Sequence, residues 1–232
     1  MPTVQLPPDM PRAMRYLRRD SIGRPVPRFV EWIDGKPDFR IMDSRFLVEA
    51  AKNRLCWTCG EHLRLRHHQP YGTFVVGPMC VVNLVSSEPP SHSDCAEWSV
   101  KACPFLSNPD KERREANMPE GVADPAGVMI RRNPGVIALV ESEAWGVFRA
   151  NGLLFRFGHI TNVSWWARGA KADVAEVMDS IESGLPALVE MCDDDPEALR
   201  ELALHLRRSL VWVGHLPLDP YPAAAELLHR LP

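Results

Sequence analysis

The chain has 232 residues, 45% of them hydrophobic and 25% charged, and its formal net charge is −3. This length and composition predict a globular protein with one large or two small cores. No apolar run approaches the roughly 20 residues of a membrane span, and the first residues lack the basic and apolar segments of a secretory signal. We therefore expect a cytoplasmic protein with no membrane partner.

The charge divides unevenly along the chain. Residues 1–118 carry 17 Lys+Arg against 14 Asp+Glu, whereas residues 119–232 carry 10 against 16. This asymmetry is compatible with phosphate contacts on the first half alone and equally compatible with ordinary solvated faces.

The first elements are predicted to be an arm, a hairpin and a helix. Residues 1–28 contain six prolines and several arginines, a composition that predicts an extended arm. A short hairpin is predicted around Asp34-Gly35, and Asp43 or Ser44 can cap a helix that runs to about Arg54. A second hairpin is expected over 63–68 and 71–76, and a helix is expected from about Ser91 to Pro104. Residues 108–117 are predicted to be a linker or an exposed helix.

The second half of the chain shows a different pattern. Short runs rich in apolar residues predict strands at 135–140, 145–149, 152–157 and 163–166. Apolar spacing near 3.6 residues predicts two helices, at 171–191 and 196–213, the first of them interrupted at Pro186. We therefore predict an α+β fold, with a proline-rich arm and zinc-binding region at 1–118 and an α+β region at 119–232.

Five of the six cysteines lie within 48 residues, and their spacing is typical of a metal site. Cys56 and Cys59 form a C-x-x-C-G turn, and His92 and Cys95 form a second pair three positions apart. Thiolate sulfur and imidazole nitrogen are the ligands that Zn²⁺ prefers, and a structural site closes with four of them. A zinc knuckle, a hairpin and a helix whose first turn supplies the last two ligands resemble a treble clef. We predict structural Zn²⁺ on these four residues.

Two further cysteines leave alternatives open. Either Cys80 or Cys103 could replace His92 and give an all-cysteine site, or both could be buried thiols. A thiol-rich core without metal is the simpler alternative. Cys80 follows a predicted strand and could also act as a nucleophile if its surroundings lowered its pKa.

The zinc region also resembles that of the HNH endonucleases. The spacing of that family is matched by His67-His68, then Asn83, then eight residues, then His92. The resemblance implies that His68 (or His67) activates water, that Asn83 orients it, and that Mg²⁺ or Mn²⁺ is held on the scissile phosphate. The pattern departs from the family where Glu88 and Ser91 stand in place of a second C-x-x-C pair. His92 would then be needed for both zinc and the catalytic metal.

A broader resemblance covers most of the chain. Its motifs are C-W-T-C-G at 56–60, G-P-M-C at 77–80, E-P-P-S-H at 88–92 with Cys95-Ala96, and C-P-F-L at 103–106. The likeness extends upstream to 24–27 and 38–40 and downstream to 163–166 and 181–186. These motifs are similar to those of an uncharacterised family of bacterial, phage and prophage proteins. The resemblance implies a bacterial or phage source and brings no activity with it. We therefore expect a zinc-stabilised module that binds a protein or nucleic-acid partner, with an HNH-like endonuclease as the alternative.

Overall fold

In the computed structural model the described residues are 9–109, 111–112, 118–119, 126–127, 133–214 and 220–231. A short 3-10 helix at Arg12–Tyr16 lies within the predicted extended arm, and residues 1–8 of that arm lie outside the described residues. The next elements are β1 (Val30–Ile33) and β2 (Lys36–Met42), which pair as a hairpin, and α1 (Ser44–Asn53). Asp43 caps α1 by accepting hydrogen bonds from the amides of Arg45 and Phe46.

The middle of the chain builds one edge of the main sheet and the helix that covers it. It contains β3 (Leu65–Arg66), β4 (Gln69–Val76), α2 (Pro78–Asn83), β5 (Val85–Ser86) and α3 (Ser93–Ala102). Helix α2 is absent from the sequence prediction. Its signal is Pro78, which stands at the first helical position, where a missing amide hydrogen costs nothing.

Within the described residues from 133 onward, the chain adds five strands and three helices. They are β6 (Ile137–Glu143), β7 (Gly146–Arg149), β8 (Leu153–Arg156), β9 (His159–Ala167), β10 (Ala170–Lys171), α4 (Val174–Glu190), α5 (Pro196–Leu210) and α6 (Pro222–Leu228). Pro186 lies inside α4, which is assigned as one helix through that position. The α+β class is confirmed.

The central sheet joins strands from both halves of the chain. Its order is β10-β9-β6-β4-β3, and every described pairing in it is antiparallel. A second sheet of order β5-β8-β7 likewise pairs β5 with a strand of the second half. The boundary predicted between residues 118 and 119 falls among stretches that are only partly described, and it stays a prediction. The strands on either side of it hydrogen-bond to one another.

Alternation along β6 separates two cores. Ile137 and Leu139 pack with Ala96 and Val100 of α3 on one face of the sheet, together with Trp166. Ala138 and Val140 face the larger core, which includes side chains of α2, α4, α5 and α6. Because successive side chains of a strand point to opposite faces, one central strand supports both cores. The main sheet is therefore covered by α3 on one side and by the helical group on the other.

The tryptophans of the second half belong to the core. Trp145, Trp165 and Trp166 are all buried, and Trp165 donates its indole N–H to the carbonyl of Trp212 at 2.9 Å. The packing of the sheet against both helical layers covers these three side chains, so they offer no exposed contact surface.

The β3–β4 turn consists of two histidines in left-handed backbone conformations. His67 has φ +50° and His68 has φ +63°, and Arg66 pairs with Gln69 across the two-residue loop. Positive φ at both central residues defines a type I′ turn, which strongly favours Asn-Gly. Both side chains are exposed. The left-handed conformation of these two residues therefore costs free energy, and burial of their side chains does not offset that cost.

Replacing His67→Asn and His68→Gly together is expected to stabilise the protein by about 1 kcal/mol, because it relieves the cost of the left-handed conformation. Denaturant unfolding measures this change. The matched control is His159→Asn, which removes an exposed strand histidine that has no positive φ and should change stability by less than about 0.5 kcal/mol. An unchanged or lower midpoint for the double variant would show that the turn is not of this type.

Candidate metal centre

The C-x-x-C segment forms a tight loop closed by backbone hydrogen bonds. The Cys56 amide donates to the carbonyl of Glu61 at 2.7 Å, and the Gly60 amide donates to the carbonyl of Cys56 at 2.8 Å. Gly60 has φ +81°, and a Cβ there would lie 2.9 Å from Cγ of Arg28. Glycine at this position therefore serves both the turn and the close approach of Arg28.

Trp57 fixes the loop to the first helix. Its ring stacks between Phe29 and Phe46, with centroid distances of 4.9 and 5.5 Å. The three rings form a small core with Ala50 and Leu55. Burial of three aromatic side chains is a strong local anchor, so the position of Cys56 and Cys59 follows from the packing of α1.

The second pair of candidate ligands is held by the segment before α3. Ser91 exchanges two backbone hydrogen bonds of 2.8 Å with Thr73 of β4. Its hydroxyl is hydrogen-bonded to the Thr58 hydroxyl at 2.8 Å and accepts from the Thr58 amide at 3.2 Å. Both residues are buried. One residue therefore ties the sheet to the C-x-x-C loop immediately before His92.

The candidate ligands converge at the start of α3. His92 is the N-terminal cap residue, and Cys95 is the third residue of the helix. The ligand atoms of Cys56, Cys59, His92 and Cys95 all lie within 4.8 Å of one another, so the cluster could hold a metal ion. The edges of a zinc–thiolate tetrahedron are about 3.8 Å, close to this arrangement. Three thiols and one imidazole are the donor set expected of structural zinc.

Hydrogen bonds orient the donors toward one another. The carbonyl of His62 lies 3.0 Å from Nε2 of His92. A carbonyl can only accept, so Nε2 carries a hydrogen and Nδ1 is directed to the cluster, 3.4 Å from Sγ of Cys59. The amides of Cys59 and His92 donate to Sγ of Cys56 at 3.4 and 3.3 Å. Such contacts fix the imidazole tautomer and support a thiolate.

The close approach of the candidate ligands shifts the pKa values of three of them, Cys56, His92 and Cys95. Burial raises the pKa of the Cys56 thiol, but hydrogen bonds from the other three donors outweigh burial and hold that pKa well below its usual range. Hydrogen bonds to Cys56 and Cys59 raise the pKa of His92 to about 11, and the same two neighbours raise the pKa of Cys95. Without a cation, Cys56 is thus the thiolate, while His92 and Cys95 retain protons at neutral pH.

The two leftover cysteines of the first half lie outside this cluster. Cys80 is on α2, and burial raises the pKa of its thiol to about 11. Burial also raises the pKa of Cys103, the cap residue that ends α3. Neither thiol is among the four clustered donors. A thiol kept protonated in this way is a poor nucleophile, so the structure gives no support to a catalytic Cys80.

The residues of the nuclease alternative lie beyond opposite ends of β4. His68 is exposed in the turn that precedes this strand, which spans about 23 Å. Asn83 is the last residue of α2, which follows the strand, and its amide oxygen accepts from the Val85 amide at 3.1 Å. His92 lies in the four-donor cluster. The catalytic roles of His68 and Asn83 stay a prediction.

A cleft of about 800 Å³ opens beside His92. It is lined by the N-terminal 3-10 helix, by the segment after the C-x-x-C loop and by the first turn of α3. Tyr71 lines it and donates its hydroxyl hydrogen to a carboxylate oxygen of Glu141, and Ser93 is hydrogen-bonded to Thr73 at 2.8 Å. Sequence patterns do not predict this cleft, because its walls come from four separated segments.

Comparison with protein-family models, with curated proteins and with solved structures found no match to this chain.

Replacing Cys56→Ser is expected to abolish zinc binding, because it removes a buried donor that accepts hydrogen bonds from two amides of the site. Metal analysis of the purified protein should fall from about one equivalent of zinc to near zero. The matched control is Cys80→Ser, which removes a half-buried thiol outside the cluster and should leave zinc content unchanged. Equal zinc loss in the two variants would contradict the assignment.

Zinc binding is expected to release at least two protons at neutral pH, because the raised pKa values of His92 and Cys95 keep both donors protonated in the metal-free chain. A cation must displace those protons, so zinc affinity should fall as pH falls. Titration calorimetry in two buffers of different ionisation enthalpy measures the number released. Identical heats in both buffers would show that the donors are already deprotonated.

Proposed function

We propose that the chain is a zinc-stabilised binding module in which Cys56, Cys59, His92 and Cys95 hold a structural Zn²⁺. The observation that supports this proposal is the convergence of three thiols and one imidazole within 4.8 Å. When bound, the ion supplies a cross-link between the C-x-x-C loop and the first turn of α3 and performs no reaction step.

The donor set favours a structural role over a catalytic one. Catalytic zinc normally keeps one position for water or substrate and uses three protein ligands, whereas structural zinc uses four. Here Cys56 and Cys95 are fully buried, and His92 is oriented by the carbonyl of His62. A closed site of this kind holds the neighbouring segments in place and leaves no open position on the metal for a substrate. The proposed function is therefore binding of a partner by the protein surface near the site.

The proposed setting rests on the sequence resemblance. The motifs shared with bacterial, phage and prophage proteins support a phage- or prophage-linked role in a cytoplasm. Among the described residues, no helix is long and apolar enough to span a membrane. The partner is a protein or a nucleic acid.

Removal of zinc by a strong chelator is expected to unfold the region of β1, β2, α1 and the C-x-x-C loop, because the cross-link to α3 is lost. If free zinc stands a thousandfold above its dissociation constant, the ion contributes about 4 kcal/mol of stability. Thermal unfolding and limited proteolysis with and without the chelator measure this loss, and re-addition of zinc should reverse it. Less than about half an equivalent of zinc in protein purified without added metal, or an unchanged fold after chelation, would contradict the proposal.

A further inference from the structure

The N-terminal 3-10 helix presents an unusual combination of side chains. Arg12, Arg15 and Tyr16 are exposed, and the Tyr16 side chain is 76% accessible. Met14 is 1% accessible and anchors the helix in the main core. Residues three apart are eclipsed on a 3-10 helix, so the two arginines share one side of it. A rigid, buried support thus holds two guanidinium groups and an aromatic ring in solvent.

These arginines have no carboxylate partner in the part of the chain that the structure describes. Among the described residues, no ion pair joins Arg12, Arg15 or Arg64 to an acidic side chain. Other described arginines of the first half are paired, as Arg24 is with Asp20 and Arg40 with Asp38. The segment 9–28 carries six arginines against two aspartates. Its positive charge is therefore largely uncompensated locally.

The cleft beside the metal centre lies directly against this helix. Arg12 and Tyr16 form part of one wall, and Arg64 also lines the cleft. A second, smaller cleft of about 360 Å³ is lined by Leu17 and Arg18, which follow the 3-10 helix, and the Arg18 guanidinium lies 3.5 Å from the centre of the Trp32 ring. The 3-10 helix and the residues after it therefore run along two neighbouring clefts, with arginine in both.

The first cleft also contains acidic groups, and they do not prevent an anionic ligand from binding to its arginines. Glu61 and Asp94 line it, and the Asp94 carboxylate accepts a hydrogen bond from the Cys95 amide. Carboxylates repel phosphate but accept hydrogen bonds from the amino groups of bases. A ligand with anionic groups on one side and N–H donors on the other satisfies both walls. A protein partner would normally insert an apolar anchor, and the aliphatic lining residues are limited to Ala13 and Leu63, of which Leu63 is buried.

We propose that the surface formed by Arg12, Arg15, Tyr16 and Arg64 binds single-stranded nucleic acid, with its phosphates on the arginines and a base stacked on Tyr16. An exposed ring flanked by unpaired guanidinium groups is the arrangement used for strands whose bases are free to stack. A duplex keeps its bases stacked on one another and offers no free face to the ring. This inference rests on the proposed binding function and names its partner.

The experiment measures fluorescence anisotropy of labelled oligo(dT) and oligo(U) of about 12 nucleotides with the full chain, over a range of salt concentrations. The double variant Arg12→Ala with Arg15→Ala is expected to weaken binding at least tenfold and to reduce the salt slope by about 1.4, since two phosphate contacts are lost. Tyr16→Ala is expected to weaken binding about tenfold, whereas Tyr16→Phe keeps the stacking ring and should bind as the unmodified chain does.

The matched control removes the same charge elsewhere. Arg200→Ala with Arg207→Ala alters two exposed arginines of α5 and should leave affinity within about twofold of the unmodified chain. Equal weakening in this control would overturn the assignment, as would absence of binding to both oligonucleotides at low salt. Tighter binding to duplex DNA, or equal affinity for poly-glutamate of matched charge, would also overturn it. Preference between oligo(dT) and oligo(U) identifies which nucleic acid is bound.

Zinc content of every variant separates the two proposals. About one equivalent of zinc with no oligonucleotide binding rejects the nucleic-acid surface and leaves the zinc module intact. Oligonucleotide binding that depends on Arg12 and Tyr16 in protein without zinc supports the surface and rejects the structural metal. The variants change exposed side chains only, so retained zinc also reports that each of them is folded.

Discussion

The contacts of Ser91 are the constraint on which the rest of this structure depends. Its backbone pairs with Thr73 of the central sheet, and its hydroxyl binds Thr58 inside the C-x-x-C loop. The preceding residue, Pro90, accepts a hydrogen bond from the Trp57 amide. The following residue, His92, is the N-terminal cap residue of α3. Three bodies of the protein, the sheet, the loop and the helix, therefore meet at consecutive residues, and the metal donors lie at that junction.

Buried polar contacts of this kind are informative because they are costly when incomplete. Thr58, Thr73 and Ser91 are each 3% accessible or less, and each has hydrogen-bond partners. Loss of one partner would leave the other unsatisfied in the interior. The network therefore specifies one placement of the loop against the sheet, and the thiols approach one another because of that placement. A zinc ion would cross-link the loop and the helix in the placement that this network specifies.

The same junction explains why the surface beside the metal centre is well defined. The cleft walls include Ser91, His92 and Ser93, and the N-terminal 3-10 helix closes the other side through the buried Met14. An ion pair of 2.9 Å between Asp9 and Lys101 of α3 lies at the beginning of that segment. A segment predicted to be an extended arm is thereby held against the folded body. A metal site that performs no chemistry can still position a binding surface.

Several features followed from local sequence patterns. The C-x-x-C-G turn, the Asp34-Gly35 hairpin and the cap at Asp43 each depend on residues a few positions apart, so local chemistry was enough to predict them. The pairs Cys56/Cys59 and His92/Cys95 were predicted in the same way, and the structure brings their donor atoms together. Helices α2 and α6 were missed although each begins with proline at its first turn, because both are short and lack a long apolar repeat.

By itself the sequence determined the α+β class, the type of most elements and the donor set of a candidate metal site. Tertiary structure alone decided that β4 of the first half pairs with β6 of the second, and that His68 and Asn83 fall at opposite ends of β4. It also decided that Arg12 and Arg64 share one cleft. The physical reason is that strand pairing and cleft walls join segments far apart in the chain, and their partners leave no periodic signal in either segment.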